Sequence, residues 1–274
     1  MPVDILFCEG GPNSPDIRVL KKLLAGRCGE IRSLGGKYGM GERILAHREA
    51  RPASRVAGLI DGDFLEQWTE AGAVPSKWTN NEHSFGWRWS RKEIENYLLD
   101  PVVVSNALGA AANWSYADIL ETATNRIAIY QAARTALSNC RRRFNQLPAG
   151  WGRPRGKDRH QFPDEFSEAA CREEIPRVVA EHASEQAATA EEVMDRWVQL
   201  LPEFSPGGAR RRDALSTFAG KDLFLATEDD VVRNGFQSAR AFREKILLGI
   251  ESTGEDIADW LPEWQALRGE IEAY

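Results

Sequence analysis

Two aspartates follow the apolar segment RVAGLI (residues 55–60). Asp61 and Asp63 are separated by one glycine, and residues i and i+2 of an extended segment point the same way. Two ionised carboxylates about 6 Å apart repel each other by roughly 3 kcal/mol at an effective dielectric constant of 20. A proton or a cation relieves this repulsion, and a site made only of oxygen ligands suits Mg²⁺ or Mn²⁺. The alternative is an ordinary polar turn after a core strand.

A third acid follows another apolar segment. Glu9 comes directly after VDILFC (residues 3–8), which, like RVAGLI, predicts a buried strand. In an open parallel sheet, ligands bind beyond the carboxyl ends of the strands. If the two strands are neighbours, Glu9, Asp61 and Asp63 lie together at that edge. Each acid alone is a weak signal, and their combination in this order is a stronger one.

The elements that position these acids alternate between strands and helices. The segments VDILFC, EIRSLGG, RVAGLI and SFGWRWS predict strands, and SPDIRVLKKLLAG and GERILAHREA predict helices. Ser14 is a candidate N-cap for the first helix, with Pro15 as its first residue. This alternation predicts an α/β fold with a mostly parallel sheet for residues 1–101. Residues 102–274 are predicted to be mainly α-helical, because they contain alanine-rich segments with helical periodicity.

Composition narrows the class of protein. The chain has 274 residues, of which 42% are hydrophobic, enough to build a core. It has no run of 18 apolar residues, and no basic stretch followed by an apolar one at the N-terminus, so neither a membrane span nor a secretory signal is expected. The four cysteines show no CxxC spacing. That pattern predicts neither a zinc site nor a disulfide framework, and it favours a reduced, cytoplasmic location.

A basic stretch spans residues 141–159 although the net charge is −6. Its candidates for nucleic-acid binding are Arg141, Arg142, Arg143, Trp151, Arg153, Arg155, Lys157 and Arg159. Seven cations on the phosphates of a single strand would give a log–log salt slope of roughly −5, and an indole stacks on bases. Lys37, in GGKYGMGE, is a further candidate for a phosphate contact. The alternatives are a solvated loop for the basic stretch and a solvated turn lysine at Lys37.

These segments together carry a family resemblance. ILFCEGGPNSPDIRVLKKLL (residues 5–24) and VAGLIDGDF (residues 56–64) resemble a Toprim domain, the metal-binding fold of topoisomerases, primases and OLD-type nucleases. IENYLL (residues 94–99) is similar to the Toprim part of OLD-family nucleases and their stand-alone relatives, such as the nuclease subunit of the PARIS anti-phage system. FAGKDLF (residues 218–224) resembles, more weakly, a Gly-Lys helix start in some stand-alone members. The resemblance covers roughly residues 3–101 and implies a Toprim-type, Rossmann-like sheet flanked by helices.

The resemblance implies roles for a set of carboxylates and one lysine. The catalytic candidates are Glu9, Asp61, Asp63, Glu95 and Lys221, and the metal-binding candidates are Glu9, Asp61, Asp63, Glu95, Glu93 and Asp16. On a helix Glu93 and Glu95 point apart, so only one is expected to face the metals, and Glu95 is preferred. The family pattern EGxxD is stretched here by the longer loop GGPNSP, which leaves Asp16 as the matching acid. The alternative for Lys221 is a surface lysine at a helix start.

The implied activity is phosphodiester cleavage. Two Mg²⁺ or Mn²⁺ ions about 3.5–4 Å apart can stabilise both the attacking and the leaving oxygen, and the substrate would be DNA or RNA, tRNA included, in anti-phage defence. The sequence contains no GxxxxGK[ST] motif, so the resemblance further implies a separate ATPase partner. Trp87 and Trp89 alternate along a strand, which indicates packing in the core or in a homodimer. The competing interpretation is a non-catalytic, metal-stabilised subunit that binds nucleic acid or protein.

Overall fold

A computed structural model describes residues 2–63, 74–80, 82–109, 114–140, 151, 153–154, 161–162, 165, 167–182 and 188–274. Within these residues the main sheet has five strands: β1 (Val3–Cys8), β2 (Cys28–Ser33), β3 (Val56–Ile60), β4 (Ser76–Thr79) and β5 (Ser84–Arg88). Their order is β2-β1-β3-β5-β4, and all are parallel except the edge strand β4. The four predicted strands and the α/β class are confirmed, and β1 and β3 are neighbours.

Helices cover both faces of the sheet. The α/β half contains α1 (Pro15–Leu23) and α2 (Met40–Ala50), followed by α3 (Ile94–Leu98) and α4 (Pro101–Leu108). The helical half contains α5 (Tyr116–Asn139), α6 (Glu168–His182), α7 (Ala190–Phe204), α8 (Ala209–Arg212), α9 (Ala214–Thr217), α10 (Gly220–Ala226), α11 (Glu228–Arg233), α12 (Ala239–Ser252), a 3-10 helix (Ile257–Trp260) and α13 (Pro262–Glu272). A short antiparallel pair, β6 (Arg153–Pro154) and β7 (Gln161–Phe162), interrupts the helices. The described part of the chain includes no helix long and apolar enough to cross a membrane.

The two faces of the sheet have separate cores because side chains alternate along each strand. Ile5 and Phe7 of β1 face α2, whose Met40 and Ile44 complete the smaller cluster. The opposite face, which includes Leu6 and Trp87, belongs to a larger cluster that continues through the helical half as far as α13. The predicted helical region therefore completes the core of the α/β region. Trp87 and Trp89 are both buried within this chain.

A buried carboxylate fastens the last helix to the loop between β5 and α3. Glu263 of α13 accepts hydrogen bonds from the Ser90 backbone N–H at 2.7 Å, the Ser90 hydroxyl at 2.5 Å and the Tyr97 hydroxyl at 2.6 Å. Its side chain is almost fully buried. Hydrogen bonds to a charged group are worth more than neutral ones, and donors left without an acceptor in the interior are costly. Glu263 therefore fixes the segment that leads into α3.

We expect Glu263→Ala to lower the free energy of unfolding by about 3 kcal/mol, because the buried hydroxyl of Tyr97 and the two partly buried donors of Ser90 lose their acceptor. Glu272 on the same helix provides the matched control, since it pairs with Arg27 at the exposed surface. Glu272→Ala should cost less than about 1 kcal/mol. Urea denaturation of both variants measures the difference. Equal losses would show that the buried network does not stabilise the fold.

Candidate functional site

The ends of β1 and β3 are joined by a side-chain hydrogen bond. Cys8 is paired with Leu59 in the parallel register, so the next residues along each strand are neighbours at the carboxyl edge of the sheet. The backbone N–H of Asp61 donates to Oε1 of Glu9 at 3.1 Å. Glu9 and Asp61 are thus brought together, as their positions after two neighbouring strands predicted.

Gly62 lets β3 pass closely beside the loop that precedes α3. Its N–H donates to the carbonyl of Arg91 at 3.1 Å, and a β-carbon at this position would lie 2.4 Å from that same oxygen. Asp63 then adopts a left-handed conformation with φ of 54°. The extended-strand argument that Asp61 and Asp63 share a direction therefore does not apply at Asp63. Asp63 is exposed and forms an ion pair with Lys37.

Glu93 and Glu95 both contact Lys221. Glu93 lies before α3 in an extended conformation with φ of −145°, so the helical spacing that would separate the two carboxylates does not hold. Its Oε1 lies 3.2 Å from Nζ of Lys221, and its Oε2 accepts the Lys221 backbone N–H at 2.9 Å. Oε2 of Glu95 lies 3.1 Å from the same Nζ. Both carboxylates therefore face Lys221, and helical spacing gives no reason for only one of them to face a metal.

Lys221 reaches these acids because α10 begins against the start of α3. A β-carbon on Gly220 would lie 2.6 Å from the backbone nitrogen of Asn96 and 2.8 Å from Cβ of Glu95. The side-chain amide of Asn96 donates to the carbonyl of Phe218 at 2.9 Å, and Gln131 accepts the N–H of Ala219 at 2.9 Å. These buried polar contacts hold FAGKDLF against IENYLL.

Sequence reasoning missed Arg243 of α12. Its Nη1 lies 3.4 Å from Oε1 of Glu95, so Glu95 has a cation on each carboxylate oxygen. Arg243 is 148 residues from Glu95 along the chain, and no local spacing indicates such a contact. In the sequence, Arg243 has no acidic residue three or four positions away on its predicted helix, and this was the only sign that its partner lies elsewhere.

Crowding changes the protonation of the acids. Burial and the neighbouring carboxylate of Glu95 raise the pKa of Asp16 to about 7. Burial, with the charges of Asp16 and Glu9, raises the pKa of Asp61 well above its ordinary value. The pKa of Glu9 is also raised, chiefly by burial, although the N–H of Asp61 opposes the shift. Asp16 thus belongs to the same electrostatic cluster as the acids at the strand ends.

The lysine responds in the opposite direction. Desolvation alone disfavours the ammonium of Lys221, but the carboxylates of Glu93, Glu95 and Asp61 outweigh it and raise the lysine pKa. Burial would raise the pKa of Glu93, but Lys221 and Arg134 outweigh burial and lower it. Glu93 is therefore ionised beside Lys221, whereas burial keeps the pKa values of Glu9, Asp16 and Asp61 raised.

The donor set fits a hard divalent cation in type and in charge. All the candidate ligands are carboxylates, the groups that Mg²⁺ and Mn²⁺ prefer. The raised pKa values of Glu9, Asp16 and Asp61 mean that their charged forms are disfavoured here, so a bound cation would stabilise them. As placed, no three Asp, Glu, His or Cys side chains of the described residues converge closely enough to surround one ion. The ammonium of Lys221 supplies part of the counter-charge.

No family model and no curated protein matches this chain. The site is therefore interpreted from its own geometry and from the motifs that its sequence contains.

The remaining sequence candidates lie in or near the basic stretch. Trp151 is buried and packs edge to face against Tyr130, with ring centroids 5.2 Å apart. As placed, its ring offers no exposed face to a base. Arg153 lies in the two-residue strand β6. The candidates outside the described residues are Arg141, Arg142, Arg143, Arg155, Lys157 and Arg159.

We expect Gly220→Ala to lower the free energy of unfolding by about 1–3 kcal/mol, because the added methyl group must push α10 away from α3. Gly269, on α13, is a matched helical glycine with open space around it. Gly269→Ala should be neutral or slightly stabilising, since alanine has the higher helix propensity. Urea denaturation of both variants tests the contact. A neutral Gly220→Ala would contradict the close approach of the two helices.

The acid cluster also predicts a pH dependence. The carboxyl pKa values of Asp16, Asp61 and Glu9 are raised on folding, so the folded chain binds more protons than the unfolded chain between the two sets of values. The stabilising contribution of Asp16 is fully present below about pH 4 and is lost as the pH rises through about 7. The contributions of Glu9 and Asp61 are lost in the same direction, as the pH rises through their own raised pKa values. Asp61→Asn should therefore reduce the loss of stability between about pH 5.5 and pH 8 in metal-free buffer.

A divalent cation competes with these protons. Mn²⁺ should therefore raise the melting temperature more at about pH 8 than at about pH 5.5, and Asp61→Asn should reduce that difference. Glu49→Gln, at an exposed position on α2, is the control of matched chemistry. Thermal denaturation at both pH values measures the effect. Identical Mn²⁺ shifts at both pH values in the parent and in Asp61→Asn would contradict metal binding by the cluster.

Proposed function

We propose that the chain is a divalent-metal-dependent nuclease of the Toprim type that cleaves phosphodiester bonds in DNA or RNA. The observation that carries the proposal is the cluster at the carboxyl edge of the sheet. There Glu93 and Glu95 contact Lys221 directly, and Glu9, Asp16 and Asp61 interact with it electrostatically. Parallel α/β sheets bind ligands at this edge.

Each part of the cluster has a distinct chemical use. Glu9, Asp16 and Asp61 would hold the cation, with Glu93 and Glu95 available to a second one. When bound, the cation supplies positive charge to the oxygens of the scissile phosphodiester. Lys221 remains protonated and offers its ammonium to a phosphate or to a leaving oxygen.

The helical half supplies part of this catalytic unit. Lys221 and Arg243 both come from beyond residue 102, and both contact Glu95. The proposed unit therefore extends past the Toprim-like residues 1–101. We also propose that nucleic-acid cleavage serves anti-phage defence together with a separate ATPase, as the resemblance to OLD-family relatives implies. The lack of a GxxxxGK[ST] motif in the sequence supports a separate partner.

A second candidate is a non-catalytic, metal-stabilised subunit that binds nucleic acid or protein. It is favoured by the ion pairs of Lys221 with Glu93 and Glu95 and of Lys37 with Asp63 beside the cluster. Among the described residues, no three Asp, Glu, His or Cys side chains form a group that could hold a metal ion. Such a subunit would be stabilised by a cation without turning over a substrate. Loss of cleavage on replacing a carboxylate of the cluster by the corresponding amide, as in Asp61→Asn, separates the two candidates.

We expect Asp61→Asn and Glu9→Gln to reduce cleavage by about a hundredfold or more, because each removes a charge from the acid cluster while preserving shape. The chain should be expressed with its neighbouring genes, so that an ATPase partner is present, and the broken nucleic acids sequenced. Cleavage in extracts should require Mg²⁺ or Mn²⁺ and stop on chelation.

Glu49→Gln is the control for this experiment, since it removes an exposed carboxylate outside the cluster. It should cleave as well as the parent. If Asp61→Asn and Glu9→Gln also cleave as well as the parent, the assignment of the cluster is wrong. Binding without cleavage in the parent, in the presence of its partner, would favour the non-catalytic candidate.

A further inference from the structure

The loop between β2 and α2 projects a lysine and a tyrosine between glycines. Gly35 and Gly39 adopt left-handed conformations with φ of 79° and 73°, and a β-carbon on either would meet open space. Glycine is thus required here by backbone conformation rather than by packing. Lys37 and Tyr38 lie between these two turns, with Lys37 half-buried and Tyr38 exposed.

This loop lies beside the acid cluster. The N–H of Leu34 donates to the carbonyl of Cys8 at 3.0 Å, and the N–H of Gly35 donates to the carbonyl of Gly10 at 2.9 Å. The loop is therefore bonded to the chain on both sides of Glu9. On the other side Lys37 forms an ion pair with Asp63. The loop thus forms one rim of the proposed active site.

Tyr38 is the most exposed large hydrophobic side chain in the described part of the chain, at 71%. Single exposed hydrophobic residues are common and need no explanation by themselves. The position of Tyr38 distinguishes it from other exposed hydrophobic residues. It follows Lys37, which pairs with Asp63, and it lies on a loop that is hydrogen-bonded to the residues on both sides of Glu9. An aromatic ring next to a cation is the combination that binds a base and its phosphate.

We propose that Tyr38 stacks on an unpaired base of the substrate while Lys37 contacts the adjoining phosphate. The inference rests on the proposed nuclease function and specifies its substrate class: single-stranded segments, loops or ends of a nucleic acid. In a duplex the faces of the bases are covered by their neighbours, so a protruding ring has no face to stack on. A basic side chain, by contrast, contacts the phosphates of single strands and duplexes alike.

The test measures binding apart from cleavage. Fluorescein-labelled mixed-sequence RNA and DNA oligonucleotides are titrated, as single strands and as duplexes, with Mg²⁺ present, and fluorescence anisotropy is recorded. Asp61→Asn serves as the background so that the probe stays intact. In that background Tyr38→Ala should weaken single-strand binding about 5- to 150-fold, the equivalent of one stacked base, and leave duplex binding unchanged.

Three further variants complete the test. Tyr38→Phe keeps the ring and should keep the affinity, whereas Lys37→Ala should weaken single-strand and duplex binding alike. Leu248→Ala, an exposed truncation on α12, should change neither. Melting temperatures of all variants establish that they are folded.

The outcomes separate this inference from the proposed function. Single-strand binding that is unchanged in Tyr38→Ala, or lost equally for duplex and single strand, overturns the role of Tyr38 and leaves the nuclease proposal standing. An Asp61→Asn protein that binds no oligonucleotide of either form also overturns the inference, while the cleavage experiment decides the nuclease proposal. Selective loss of single-strand binding in Tyr38→Ala, with retention in Tyr38→Phe, supports the inference.

Discussion

Crowding of carboxylates at one edge of the sheet is the constraint on which the rest of the structure depends. Glu9 and Asp61 are joined directly by a hydrogen bond at the strand ends, and Asp16 adds a third charge from the start of α1. Burial raises the pKa values of these groups, and the repulsion among them adds to the shift. Lys221 supplies part of the counter-charge, because its ammonium pairs with Glu95 on α3 and with Glu93 just before that helix.

Contacts within the helical half and with α3 place Lys221 at this site. Gly220 permits the close approach of α10 to α3, and the buried amides of Asn96 and Gln131 fix the segment just before it. From the far end of the chain, Glu263 anchors the loop that leads into α3. Buried polar groups of this kind are costly unless fully paired. The pairing therefore specifies one arrangement of the site. The large hydrophobic core that the α/β half and the helical half share holds the two halves together.

The sequence predicted the elements whose signals are local. Hydrophobic patterning located four strands, and the strand-end acids Glu9 and Asp61 followed from parallel topology alone. The edge strand SKWT was missed because it is short and largely exposed, with little apolar patterning. Glu93 was misjudged because helical spacing was applied to a residue that precedes the helix. The contact of Arg243 with Glu95 spans 148 residues, a distance at which periodicity carries no information.

The central claim is that this acid cluster binds a divalent cation. Electron paramagnetic resonance of Mn²⁺ titrated into the purified chain tests it most directly, because bound and free Mn²⁺ give different signals. We expect saturable Mn²⁺ binding by the parent and by Glu49→Gln, and strongly weakened binding by Asp61→Asn and Glu9→Gln. Equal Mn²⁺ binding by all four proteins, or none by the parent at about pH 8, would contradict it.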